Sequence, residues 1–122
     1  MNVVRAKRDV PVCEAHELPP GARVIRDVGG RSIGVFNVDG HLYALHNRCP
    51  HRGAPLCQGR LTGTTVGADD HGYRYGREGR ILRCVWHGWE FDVETGCLLV
   101  EPRVRTKTFP AFVRDGRVFV TI

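Results

Sequence analysis

A chain of 122 residues has the length of one domain, and 42% hydrophobic against 25% charged residues is enough for a core. No apolar run approaches the ~20 residues of a membrane-spanning helix, and the basic start from Met1 to Asp9 has no apolar stretch behind it. Neither a membrane span nor a signal peptide is expected, and a cytoplasmic site is. The net charge of +5 suits an acidic partner, but no recognition helix, stacking platform or long basic run points to nucleic acid.

Taken in chain order, Pro19-Pro20-Gly21 opens a strand over Ala22–Val28. Gly29-Gly30 turns it into Arg31–Val38, and Asp39-Gly40 turns that into His41–Leu45. Both dipeptides accept the positive φ angles of tight hairpins. The rhythm then breaks over Asn47–Gly63, rich in Gly, Pro, Cys and His. Thr64–Glu78 is polar and glycine-rich, carries Asp69, Asp70, His71, Tyr73, Arg74, Tyr75 and Arg77, and reads as a surface excursion or an extra hairpin. A second break falls at Cys84–Gly88. Strands follow over Trp89–Val93 and Cys97–Val100, separated by Glu94-Thr95-Gly96. Arg103, Arg105 and Lys107 alternate, which on a strand puts them on one face. Ala111–Arg114, Asp115-Gly116 and Arg117–Ile122 form a closing hairpin. No long window has helical periodicity, so the fold class is all-β and antiparallel with little helix.

The chemistry lies in the two breaks. Cys49-Pro50-His51 and Cys84-Val85-Trp86-His87 each offer one thiolate and one imidazole at close spacing. Mixed sulfur and nitrogen donors suit zinc or an iron–sulfur centre and exclude the hard ions that want oxygen. Common zinc sites place both cysteines in one segment and both histidines in another, whereas each segment here is mixed. The odd number of cysteines, five, reads as metal ligands and buried thiols in a reducing compartment before it reads as disulfides. Cys13, Cys57 and Cys97 are expected to pack as small hydrophobes. His16, His41, His46 and His71 do not group and are read as surface or turn residues, with His46 near enough to the first loop to touch a ligand's backbone.

Cys49-Pro50-His51-Arg52-Gly53-Ala54-Pro55-Leu56, followed by Cys84-Val85-Trp86-His87-Gly88-Trp89-Glu90-Phe91-Asp92, resembles the two cluster loops of the Rieske-type [2Fe–2S] family. The resemblance extends over about residues 10–122. It implies one Rieske-type [2Fe–2S] cluster per chain, with Cys49 and Cys84 on one iron and His51 and His87, through Nδ1, on the other. It also implies an antiparallel β sandwich or barrel with a cluster-binding subdomain at one end, its loops at about 47–59 and 84–89. Two ferric ions, two sulfides and two thiolates sum to zero charge, so such a centre accepts an electron more readily than an all-thiolate dianion. Rieske potentials accordingly run from about −150 to +300 mV. Respiratory members of the family add a disulfide between the loops and a serine hydroxyl on a cluster sulfur. The matching positions here are Ala54 and Trp86 for the bridge and Trp89 for the serine, which predicts a potential near the negative end. Gly53 and Gly88 let backbone N–H groups approach the sulfurs, Pro50 stiffens the first loop, and Trp86 and Trp89 shield the site. Pro102 falls where the family has a third, covering loop.

The function implied is a soluble electron-transfer protein, a ferredoxin, passing single electrons from a flavin-dependent reductase to a terminal enzyme such as a Rieske non-haem iron oxygenase. Arg103, Arg105, Lys107 and Arg52 would then face an acidic redox partner. The alternatives are a small Rieske subunit of a larger oxidoreductase, such as a nitrite-reductase-like complex, and a structural zinc module. Catalysis by this chain alone is not expected, because it shows no Ser/His/Asp set, phosphate loop or two-His, one-carboxylate site.

Overall fold

The computed structural model describes residues 7–50, 52–67, 73–86 and 88–122, with 63–67 and 73–79 described by backbone alone. The strands are β1 (Asp9–Glu14), β2 (Arg23–Val28), β3 (Arg31–Val38), β4 (His41–His46), β5 (Arg60–Gly67), β6 (Tyr73–Arg83), β7 (Glu90–Asp92), β8 (Thr108–Phe109), β9 (Ala111–Arg114) and β10 (Arg117–Thr121). Helix among the described residues amounts to two 3-10 turns, Ala15–Glu17 and Leu56–Gln58. None of it is long and apolar enough to cross a membrane.

All strand pairs are antiparallel, in three sheets ordered β1-β10-β9, β2-β3-β4-β8 and β5-β6-β7. The glycine-bearing turns work as the sequence suggests. Both residues of Gly29-Gly30, Asp39-Gly40 and Asp115-Gly116 have positive φ, which matches hairpin turns to the twist of their strands.

The middle sheet is covered on both faces, and the alternation along β3 shows how. Ile33 and Val35 join Val24, Val28, Ala44, Val118 and Val120 in one core. Phe36 and Val38 point the other way, into a second core with Leu45, Leu56, Leu82, Phe91, Val93 and Leu98. The terminal sheet therefore caps one face, and the loops and the β5-β6-β7 sheet cap the other. That second core positions the site.

Several sequence expectations are corrected. β1 was not anticipated: it holds Pro11 and a bulge between Pro11 and Cys13, features that a period-2 pattern discounts and that an edge strand tolerates. β5 begins at Arg60, inside the Asn47–Gly63 break but just past the loop expected at about 47–59, and pairs with β6 as a long hairpin, the second of the two forms expected for the excursion. Asp69, Asp70 and His71 lie outside the described residues. Cys97–Val100 is not a strand but contributes two isolated bridges, Cys97 to Arg105 and Leu98 to Phe91. Residues 102–104 are turn and bend and Arg105 forms only the isolated bridge, so Arg103, Arg105 and Lys107 do not alternate on a strand face. Arg103 instead folds back onto Glu101, Nε to Oε1 at 3.0 Å and Nη2 to Oε2 at 3.2 Å, and this pairing holds the Glu101 carboxyl below its usual range.

Candidate metal centre

The two cysteine loops are built alike. In the first, between β4 and β5, the Cys49 N–H donates to the Ala54 carbonyl (2.8 Å) and the Gly53 N–H donates to the Cys49 carbonyl (2.8 Å). In the second, between β6 and β7, the Cys84 N–H donates to the Trp89 carbonyl (2.8 Å) and the Gly88 N–H donates to the Cys84 carbonyl (3.0 Å). Each knuckle closes at the fourth residue after its cysteine. That residue is glycine both times, at φ +75° in Gly53 and +69° in Gly88, a conformation that disfavours a side chain.

Cys49 and Cys84 are both buried and belong to the same apolar core, with Phe36, Leu45, Ala54 and Phe91 around them. The two cysteines that the sequence singles out thus belong to one core. His51 and His87 lie outside the described residues.

The first loop is held by residues that sequence reasoning did not single out. Asn47 clamps its two ends: its Oδ1 accepts the Cys57 N–H (2.7 Å), while its own N–H and its Nδ2 donate to the Ser32 carbonyl (2.8 Å) and Ser32 Oγ (3.1 Å). Arg23, stacked 5.2 Å over the Phe36 ring, reaches the carbonyls of Cys57 (2.9 Å) and Gly59. Cys57 seats against Gly34, where a Cβ would lie 2.5 Å from its sulfur. Burial pushes the Cys57 thiol up to about 12, with the Gly34 backbone and Arg23 opposing only in part. It is an inert packing group, as expected, whereas Cys13 and Cys97 are only partly buried.

Thr106 is the one buried polar side chain among the described residues. Its Oγ1 lies 3.3 Å from the His46 carbonyl and 3.2 Å from the Arg48 carbonyl, and its N–H donates to Gly96 (2.9 Å). Thr106 therefore ties the 94–98 turn, which bridges to β7 through Leu98, to the start of the first knuckle. The His46 carbonyl also accepts the Arg48 N–H at 2.8 Å, one residue short of the contact to a ligand's backbone expected of His46. Burial, then the charges of Arg31, Arg48 and Lys107, lower the His46 pKa.

Gly59 sets the two loops against each other. A Cβ there would lie 2.9 Å from the Arg83 carbonyl carbon and 2.9 Å from the Leu56 oxygen, and closer still to the Arg83 oxygen. The end of the first loop thus abuts the residue just before Cys84.

At the tip, the tryptophans divide. Trp89 is half-buried against the core around the cysteines, but Trp86 is 56% exposed, so core packing does not account for it. Val85, Pro50 and Arg52 are exposed as well, and Pro102 is exposed in a turn.

Two thiols drawn from separate loops into one apolar core suit a group that takes a pair of thiolates. The same surroundings favour an oxidised centre of zero net charge over a dianion. An antiparallel β frame with paired cysteine knuckles of this kind defines a Rieske-type iron–sulfur protein, an electron-transfer class. The chain belongs to the Rieske [2Fe–2S] domain family, whose profile matches residues 8–110, and its cofactor is a Rieske-type [2Fe–2S] cluster.

Within that family its likeness runs to ferredoxin components. It is 31% identical over 105 residues to the ferredoxin component of the naphthalene 1,2-dioxygenase/salicylate 5-hydroxylase systems of Ralstonia sp, covering 85% of this chain and 86% of that one. A solved complex of reduced oxygenase and oxidized ferredoxin in carbazole 1,9a-dioxygenase contains a chain of TM-score 0.70 and 28% identity, covering 92% of this chain and 91% of that one. The chain is also 32% identical over 119 residues to the oxygenase subunit of a tert-butanol monooxygenase / tert-amyl alcohol desaturase from Aquincola tertiaricarbonis. There it covers 89% of its own length and spans only 22% of the relative.

Proposed function

We propose that Cys49, His51, Cys84 and His87 hold the cluster, the cysteines on one iron and the histidines on the other. The chain then acts as a one-domain cytoplasmic ferredoxin that takes single electrons from a flavin-dependent reductase and delivers them to a terminal oxygenase. The observation that carries the ligand set is the pair of matched knuckles whose buried cysteines share one core. Cys-x-His in one and Cys-x-x-His in the other supply the nitrogen partners. The ferredoxin components among the relatives support the oxygenase as acceptor. Cysteine thiols without disulfides at Cys13, Cys57 and Cys97 favour a reducing compartment.

When bound, the cluster supplies reversible one-electron chemistry. The chain's own part is to hold the ligands, keep water from the sulfurs and set the cost of the added charge. Ala54 and Trp86 have no sulfur for a bridge, and Trp89 has no hydroxyl. The potential therefore falls near the negative end of the range from about −150 to +300 mV, and a clearly positive value in protein-film voltammetry would refute this. The ligand set is tested by Cys84→Ser and His87→Ala, each expected to yield folded but colourless protein. Either variant retaining full iron and acid-labile sulfide removes that residue from the set.

A further inference from the structure

The two knuckles share a feature beyond the Rieske pattern. Each cysteine is preceded by arginine and followed at the fourth position by glycine: Arg48-Cys49 to Gly53, and Arg83-Cys84 to Gly88. In both, the arginine lies over its own glycine. A Cβ on Gly53 would sit 3.4 Å from the Arg48 Cζ, and one on Gly88 would sit 3.3 Å from the Arg83 Nε, which also lies 3.4 Å from the Gly88 carbonyl. Neither arginine forms an ion pair among the described residues. The charge of Arg48 is felt locally, for it helps to lower the His46 pKa.

We infer that Arg48 and Arg83 are a matched pair of positioning charges, one per knuckle, that raise the reduction potential of the centre held between them. This inference rests on the ligand set proposed above. One electron from the reductase takes the charge between the knuckles from zero to minus one, with no bond made or broken and no proton moved. A nearby cation stabilises the reduced state and leaves the neutral oxidised state almost unaffected, so each arginine favours electron uptake. Both guanidinium groups are exposed, so the effect is modest and salt-sensitive. The pair acts against the low potential set by the missing bridge and hydroxyl, and keeps the centre reducible.

The test is a spectroelectrochemical titration of the intact holoprotein and of Arg48→Gln, Arg83→Gln, the double variant, and Arg48→Lys and Arg83→Lys, at low and high salt. Each glutamine should lower the equilibrium constant for reduction about two- to fivefold, equivalent to about 20–40 mV at 59 mV per tenfold. The double variant should show the sum, lysine should restore most of it, and high salt should shrink the differences. Glutamine variants at the wild-type potential overturn the inference, as do lysine variants that fall as far as the glutamines. Should a glutamine variant not load, the wild-type protein decides: its potential must fall as salt rises, and a salt-independent potential overturns the inference. Wild-type protein without a cluster would instead refute the ligand set.

Discussion

Replacing Gly59 by alanine tests whether the two cysteine loops depend on each other. Its φ of −69° suits any residue, so the consequence is one of contact alone. The new Cβ would stand 2.9 Å from the Arg83 carbonyl carbon and 2.9 Å from the Leu56 oxygen, and ordinary contact begins at 3.4 Å. The obstacles are backbone, so no side chain can swing aside, and the two segments must part by at least about 0.5 Å (3.4 less 2.9). Metal–ligand distances hold within about 0.2 Å, so the centre cannot absorb this movement. Overpacking costs about 3 kcal/mol at the upper end of its usual range, and alanine's stiffer unfolded chain offsets about 0.4–1 kcal/mol of it. Gly59→Ala should therefore be destabilised by about 2 kcal/mol or more in a urea titration, and should lose most of its iron, sulfide and visible absorbance. Gly30→Ala is the control, since its φ of +84° is unfavourable but nothing lies within 4 Å. It should cost about 1 kcal/mol and keep its cluster. A Gly59→Ala protein with wild-type iron content and potential would refute the claim that the loops are set against each other there.

Further outcomes follow from single groups. Thr106→Val removes the hydroxyl between the His46 and Arg48 carbonyls and should cost about 1 kcal/mol in the same titration, with Thr106→Ser costing less; equal losses would mean that the methyl group matters rather than the hydrogen bond. Alkylation of the native protein at pH 8 should modify Cys97 and spare Cys57, read by mass spectrometry. The Cys57 thiol is raised in the folded state to about 12 from 9.0, so its contribution to stability is intact below pH 9. That contribution should be lost as the pH rises from 9 toward 12, because the unfolded chain releases the proton first, and Cys57→Ala should flatten the decline. Reversing Arg105 and Lys107 to glutamate should slow electron transfer to an acidic partner severalfold at low salt and hardly at all at high salt, and rates unchanged at low salt would exclude this surface from docking.

The residues that carry the fold were legible where local chemistry decides. Gly29-Gly30, Asp39-Gly40 and Asp115-Gly116 announce hairpins because their positive φ angles are a property of the dipeptides themselves. The two candidate cysteines, which share one core, stood out because their spacing to histidine is short and mixed. What stayed hidden depends on distant partners. Arg23 bonds carbonyls 34 and 36 residues away, and Thr106 bonds others 58 and 60 residues away, so nothing near either residue signals the role. β1 was hidden by its proline and bulge, which only the pairing with β10 compensates. The alternating charges at 103–107 misled in the opposite direction. Their spacing fits a strand, but Glu101 claims Arg103 and the backbone turns at Pro102.

The central claim is that imidazoles from both knuckles bind one iron while Cys49 and Cys84 bind the other. The most direct test is pulsed electron paramagnetic resonance on the reduced protein, grown with nitrogen-15 histidine. Two strongly coupled histidine nitrogens are predicted. A reduced cluster without strongly coupled nitrogen, or a colourless zinc protein in place of it, would contradict the account.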